Sequence, residues 1–204
     1  MGGTKAKLIS LFVTMALTVA VFVFGTVAFF TDETSSYSMG FKSGNLRMKL
    51  FETTIDDSGK EVNYDGSVMQ VMPGMEPIDR IVRVENAGAL DMYVRIAVHK
   101  TITLAERYKE SASLVDNSLM EINIDTDHWV EQDGYYYYYK PLAPGEKTEP
   151  LFTEVAFSVR MGNIYKGSTA LLDVVAYAVS AEDNGSAATE AQGWADAIVA
   201  GGTN

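Results

Sequence analysis

Met92-Tyr93-Val94-Arg95-Ile96-Ala97-Val98-His99 alternates four large apolar side chains (Met92, Val94, Ile96, Val98) with Tyr93, Arg95, Ala97 and His99, a period of two held over eight residues. A helix would gather residues three and four apart on one face, whereas an extended chain sends neighbours to opposite faces. This stretch therefore reads as a half-buried antiparallel strand with its apolar face inward. The same period recurs in Leu46, Met48 and Leu50 against Arg47, Lys49 and Phe51, and in Val82 and Val84 against Arg83 and Glu85. It recurs again in Val155, Phe157 and Val159 against Ala156, Ser158 and Arg160. Residues 171–179 are apolar on nearly both faces, Asp173 excepted, which predicts a central strand.

Turn signals separate these runs: Asp57-Ser58-Gly59, Asp65-Gly66, Pro73-Gly74, Asn86-Ala87-Gly88, Asp133-Gly134, Pro144-Gly145 and Met161-Gly162-Asn163. Short strands punctuated in this way predict an all-β antiparallel sandwich rather than βαβ units. Two stretches depart from the pattern. Residues 104–113 favour a short helix or a loop insertion by propensity. Ala191, Trp194, Ala195, Ile198 and Val199 fall on one stripe of a short helix closed by Gly201, with Gly193 weakening it and Trp194 expected to pack it onto the sandwich.

The chain has 204 residues, 16 Lys+Arg against 27 Asp+Glu, a net charge of −11 and no cysteine. Lacking cysteine, it has no disulfide scaffold, iron–sulfur ligands, Cys-based zinc site or thiol nucleophile. The acidic balance argues against nucleic acid as a partner, since phosphate neutralisation needs clustered Lys and Arg. Two histidines exclude a His-rich metal site. His-Glu-x-x-His, Gly-x-Ser-x-Gly and Gly-rich phosphate loops are all missing. Asn123, Asp125 and Asp127 have the odd spacing of a calcium loop, but His128 stands where that loop needs Gly and Gly134 where it needs Glu. His128 with its neighbouring carboxylates makes a weak metal signal, and an acidic surface loop accounts for the stretch. No catalytic, cofactor or metal residue is assigned.

Lys5 and Lys7 are the only charges before Asp32, and residues 8–24 form an apolar run followed by Gly25, Thr26 and Ala28. That is the layout of an export signal. Its apolar run is long for a signal and short for a membrane span, so a cleaved signal and a retained anchor both stand, the first being favoured. The expected organisation is a signal helix over 1–28, a β-sandwich over 29–182, and a C-terminal short helix and tail over 183–204. Membrane contact is expected through an uncleaved signal alone. Cleavage between Ala28 and Phe29 removes Lys5 and Lys7, leaving 14 basic against 27 acidic residues and a net charge of −13.

Tyr135-Tyr136-Tyr137-Tyr138-Tyr139 would place Tyr135, Tyr137 and Tyr139 on one strand face and Tyr136 and Tyr138 on the other. Strand propensity and aromatic cross-strand pairs explain such a run structurally. The functional alternative is an exposed aromatic strip, Tyr135, Tyr137 and Tyr139, for glycan or protein contact.

Three groups of residues carry a family likeness. One is Gly25-Thr26-Val27-Ala28-Phe29-Phe30-Thr31-Asp32, leading through Thr34-Ser35-Ser36 to Phe41-Lys42-Ser43-Gly44-Asn45-Leu46. Another is Met72-Pro73-Gly74 with Val82-Arg83-Val84-Glu85-Asn86-Ala87-Gly88. The third is Asp133-Gly134-Tyr135-Tyr136-Tyr137-Tyr138 with Leu142-Ala143-Pro144-Gly145-Glu146 and Leu151-Phe152. In this order and spacing they resemble the TasA/camelysin family, Gram-positive exported proteins processed by a SipW-type signal peptidase; residues 104–124 find no counterpart.

The resemblance implies a secreted, jelly-roll-like β-sandwich acting as a biofilm-matrix or cell-surface fibre subunit. Its partners would be further copies of itself, other matrix proteins and, during export, the signal peptidase. It also implies that the freed segment, here 29–44, becomes a strand in the next subunit's sheet, with Phe29, Phe30, Tyr37, Met39 and Phe41 as its apolar side chains. The camelysin branch adds a metallo-endopeptidase alternative, against which the missing zinc motif counts. A monomeric surface binder using the tyrosines is the third reading.

Overall fold

The alternation that marks residues 92–99 continues to Thr103 in the structure. A computed structural model describes residues 45–65 and 68–202 of the chain. Along these residues run β1 (Met48–Ile55), β2 (Glu61–Asn63), β3 (Met69–Gln70), β4 (Ile78–Asp79), β5 (Ile81–Asn86) and β6 (Met92–Thr103). They are followed by β7 (Met120–Ile122), β8 (Trp129–Gln132), β9 (Tyr135–Tyr138), β10 (Glu154–Phe157), β11 (Thr169–Ser180) and β12 (Ile198–Gly201). All the strand pairings are antiparallel.

One layer begins with the order β2-β1-β5. Residues 146–152 extend it by hydrogen bonding along β5, Thr148 N donating to Val84 O at 2.8 Å and Leu151 N to Val82 O at 2.9 Å. The order β4-β10-β7 lies beyond. The other layer runs β12-β11-β6-β9-β8, with β3 added at the start of β11. One apolar core gathers Val82 and Val84 from β5, Val155 and Phe157 from β10, Val94 and Ile96 from β6, and Leu172 and Val174 from β11. The fold is thus an antiparallel, sandwich-like all-β fold. As its composition predicts, β11 is flanked on both sides, by β6 along its whole length and by β3 and β12 at its two ends.

Local chemistry sets the turns. The β8–β9 hairpin closes on Asp133 and Gly134, both at positive φ (52° and 79°), the backbone that a two-residue hairpin requires and that Asp-Gly supplies. At the end of β5 the fully buried Asn86 acts as a bracket. Its Nδ2 donates to the carbonyls of Leu90 and Leu142, each at 2.8 Å, and its Oδ1 accepts from the Gly88 amide at 2.9 Å. Residues 104–113 do carry a short helix, of the 3-10 type, over Glu106–Leu114.

Two expectations are corrected. The helix expected near the C-terminus is one 3-10 turn, Trp194–Asp196, followed by the strand β12. Gly193 adopts a left-handed φ of 83°, which stops a helix from continuing through it, and the β-branched Ile198 and Val199 then pair with β11. Val159 is not an inward strand residue. β10 ends at Phe157, a turn follows in which Met161 N donates to Ser158 O, and Val159 stands 82% exposed.

Candidate functional site

Strand addition needs main-chain donors and acceptors that no neighbour has taken. β1 pairs with β5 through residues 48–53 and with β2 only through residues 53–55. Ala87 N donates to Arg47 O at 3.0 Å, so by antiparallel alternation Arg47, Lys49 and Phe51 turn their main-chain groups toward β5. Met48, Leu50 and Glu52 turn theirs away, and Glu52 O is met there by Tyr64 N at 2.8 Å. In β12, Gly202 N donates to Val174 O at 3.0 Å, which directs Ile198 and Ala200 toward β11 and leaves Val199 and Gly201 facing away.

Among the described residues no strand pairs with the edge of β1 at Met48 and Leu50 or with the outer edge of β12. These two edges approach each other. A Cβ placed on Gly201 would lie 2.5 Å from Leu50 Cδ2, so the strands touch there through a glycine. Toward the start of β1 a groove of about 290 Å3 opens, lined by Leu46, Met48, Ile198 and Val199 with Arg47 and Lys49 beside them. Lys49 lies 3.9 Å from Glu85 and is largely exposed. The groove therefore offers two unpaired strand edges, an apolar floor and a basic margin.

The tyrosine run splits as its alternation predicts. Tyr138 is buried in the main core with Tyr136 packed against it, while Tyr135 and Tyr137 lie on the opposite face of the sheet. That outer face is not an open aromatic strip. The segment between β11 and β12 folds over it, and Tyr137 is 6% exposed beneath Ala188, Ala191 and Trp194. Tyr135 is half-buried, and Tyr139 lies beyond the strand, 48% exposed and edge-on to His128. The surface-contact reading of Tyr137 is thereby corrected: the C-terminal segment occupies that face.

The residue that organises this face is Arg95, which stands across from Tyr137 on one side and Tyr177 on the other. Its guanidinium carbon lies 3.8 Å from the Tyr135 ring centre, 4.5 Å from Trp194, 5.3 Å from Tyr177 and 5.8 Å from Tyr137. One arm donates to the Tyr137 hydroxyl at 3.1 Å. Cation–π attraction to four rings thus takes the place of a carboxylate partner. Neither Arg95 nor Tyr177 stands out in the sequence, because their meeting depends on the register of three strands.

The remaining chemistry-bearing residues act locally. His128 Nδ1 lies 2.7 Å from Asp125 Oδ2, whose other oxygen accepts from Asp127 N at 3.0 Å. Burial works to raise the Asp125 carboxyl, but the bonds from His128 and Asp127 outweigh it and hold the group below the usual range. Asn123 Oδ1 accepts from the amides of Thr153 and Glu154, so it fastens a loop. Among the described residues no three His, Asp or Glu side chains converge on one point. His99 is exposed on β6. Buried beside its partner, the Tyr138 hydroxyl donates to Glu149, which keeps that carboxyl low and the phenol high.

The expected cleavage point at Ala28 and Phe29, and the segment residues Phe30, Tyr37, Met39 and Phe41, lie outside the described residues. Compared with family models, curated proteins and solved structures, the chain matches none of them.

Proposed function

We propose that this chain is a secreted, non-enzymatic subunit of extracellular fibres of the TasA/camelysin kind, a jelly-roll-like sandwich that assembles by strand addition. The observation that carries the reading is the groove between the unpaired edges of β1 and β12. A strand entering it would bond Met48 on one side and Val199 on the other, short of the point where Leu50 meets Gly201. Its apolar side chains would meet Leu46, Met48 and Ile198. Main-chain bonds supply what side-chain burial alone does not, since ordering an extended segment costs conformational entropy at every residue.

The segment 29–44 of a neighbouring copy suits the groove in composition. Tyr37, Met39 and Phe41 alternate with Ser38 and Gly40, and Asp32 and Glu33 complement the basic margin of Arg47 and Lys49. Export, with cleavage between Ala28 and Phe29 by a signal peptidase, would free that segment. Further copies of the chain and other matrix proteins are then its partners, with no cofactor required.

Intact mass and electron microscopy of the protein recovered from culture supernatant test the reading together. A mass beginning at Phe29 with filaments in the same sample is the expected outcome. A full-length chain kept in the membrane without filaments would replace the fibre by a tethered surface domain. Because a charge of −13 opposes the stacking of identical subunits, light scattering should rise with salt and on mild acidification.

A further inference from the structure

A second concavity lies away from the β1–β12 groove, where the stretch around β3 meets the turn before β11. It encloses about 790 Å3, within the range of small-molecule sites. Val71, Met72, Pro73 and Met161 form its walls, and Arg107 and Lys166 stand at its margin. Val71 and Met161 are buried at 1% and 6% exposure and belong to the core, so this wall is backed by packed structure, whereas Met72 is 57% exposed.

Arg107 Nη2 donates to the main-chain carbonyl of Lys166 at 2.7 Å, which fixes the guanidinium against this turn. Neither residue makes an ion pair among the described residues, in a chain whose acidic groups outnumber its basic ones by eleven. Apolar walls with Arg107 and Lys166 among the lining residues complement a molecule with a hydrocarbon tail and one anionic end. Two methionines add unbranched, polarisable side chains that adapt to an alkyl chain of variable path.

We propose that this groove binds a free single-chain amphiphile of the fatty-acid class, its tail along Val71, Met72, Pro73 and Met161 and its carboxylate against Arg107 and Lys166. The concave, core-backed wall favours an individual chain over a bilayer surface. Nothing in this proposal depends on fibre assembly.

The test titrates dodecanoate, below its micelle concentration, into the full chain, with dodecanol as the uncharged control and phosphatidylglycerol vesicles as a separate arm. Dodecanoate should bind saturably at one per chain and about tenfold more tightly than dodecanol, the difference a charge-assisted contact makes. Lys166→Glu and Arg107→Gln should each erase that preference while leaving dodecanol unchanged. Gly162→Phe should weaken both ligands at least tenfold. Gly162 has an ordinary extended backbone and no atom within 4 Å of a Cβ placed on it, so the ring can enter the groove without disturbing the fold. Thermal unfolding of each variant separates loss of site from loss of fold. Equal binding of dodecanoate and dodecanol, unaltered binding in Gly162→Phe and Lys166→Glu, or association with the vesicles alone would overturn the proposal.

Discussion

Arg80 and Glu52 tie the two layers of the sandwich together. Arg80 Nε donates to Glu52 Oε2 of β1 at 3.0 Å, and its Nη2 reaches both the same carboxylate and, at 2.8 Å, the Leu172 carbonyl of β11. The guanidinium also lies 4.5 Å from the Tyr64 ring centre. It meets β11 between the short stretches that pair with β3 and β12, so a side chain caps the edge where no strand does.

Removing the carboxylate leaves a cation with 5% of its side chain exposed and without its Glu52 partner. Breaking a fully buried pair from one side costs about 3–5 kcal/mol. Glu52 is 25% exposed, which lowers the expected loss for Glu52→Ala to about 2–3 kcal/mol. Arg80→Met, which removes the stranded charge, should cost less than Glu52→Ala. Urea unfolding of the two variants checks this, and Glu52→Ala within about 0.5 kcal/mol of wild type would contradict it.

Trp194 should hold the C-terminal segment down on the outer face through Arg95. Trp194→Ala is expected to cost about 2 kcal/mol, below a fully buried tryptophan because the residue is only partly buried. Arg95→Met keeps much of the packing and loses the cation, for about 1 kcal/mol. The near-ultraviolet dichroism of the tyrosines should change with Trp194→Ala, as Tyr137 loses its cover. An unchanged spectrum and unfolding curve would mean that the segment is held by other contacts.

The Tyr138–Glu149 contact predicts an acid sensitivity. The hydroxyl holds the Glu149 carboxyl below its ordinary value, so the stabilisation is fully present above the normal glutamate range, near pH 4.3, and fades as pH falls through the lowered pKa. Tyr138→Phe keeps the ring against Trp129, whose centre lies 5.1 Å away, and removes the donor. The Glu149 titration, followed by carboxyl chemical shift, should move up toward the ordinary value. Stability should then fall less steeply on acidification. An unmoved Glu149 titration in Tyr138→Phe would contradict the assignment.

Period-two runs were legible in the sequence because burial on one face repeats strictly in an extended chain: residues 92–98 and 82–84 sit in strands with their apolar side chains inward. The turn at Asn86-Ala87-Gly88 was legible too, but its reason was not. A Cβ on Gly88 would lie 2.3 Å from Asn45 O and 2.7 Å from Arg47 N, contacts with a distant part of the chain that no local reading supplies.

Val159 shows the opposite case, since its alternation continues past the point where Ser158 turns the backbone. Helical spacing at 191–199 misled because a left-handed Gly193 outweighs the pattern of apolar side chains. The facing edges of β1 and β12 are not legible in the sequence for a further reason. They come from opposite ends of the chain, and which amides stay unpaired depends on the parity of two registers.

Those unpaired amides offer the most direct test of strand addition. The described residues belong to one compact unit, so a chain beginning at Lys42 can be mixed with a synthetic peptide of residues 29–44 and followed by amide hydrogen exchange. The amides of Met48 and Val199 should become protected as the peptide is added, while those of Lys49 and Ala200, already turned toward β5 and β11, stay as they were. Peptide binding that leaves the Met48 and Val199 amides exchanging freely, or no binding at all, would contradict assembly through this groove.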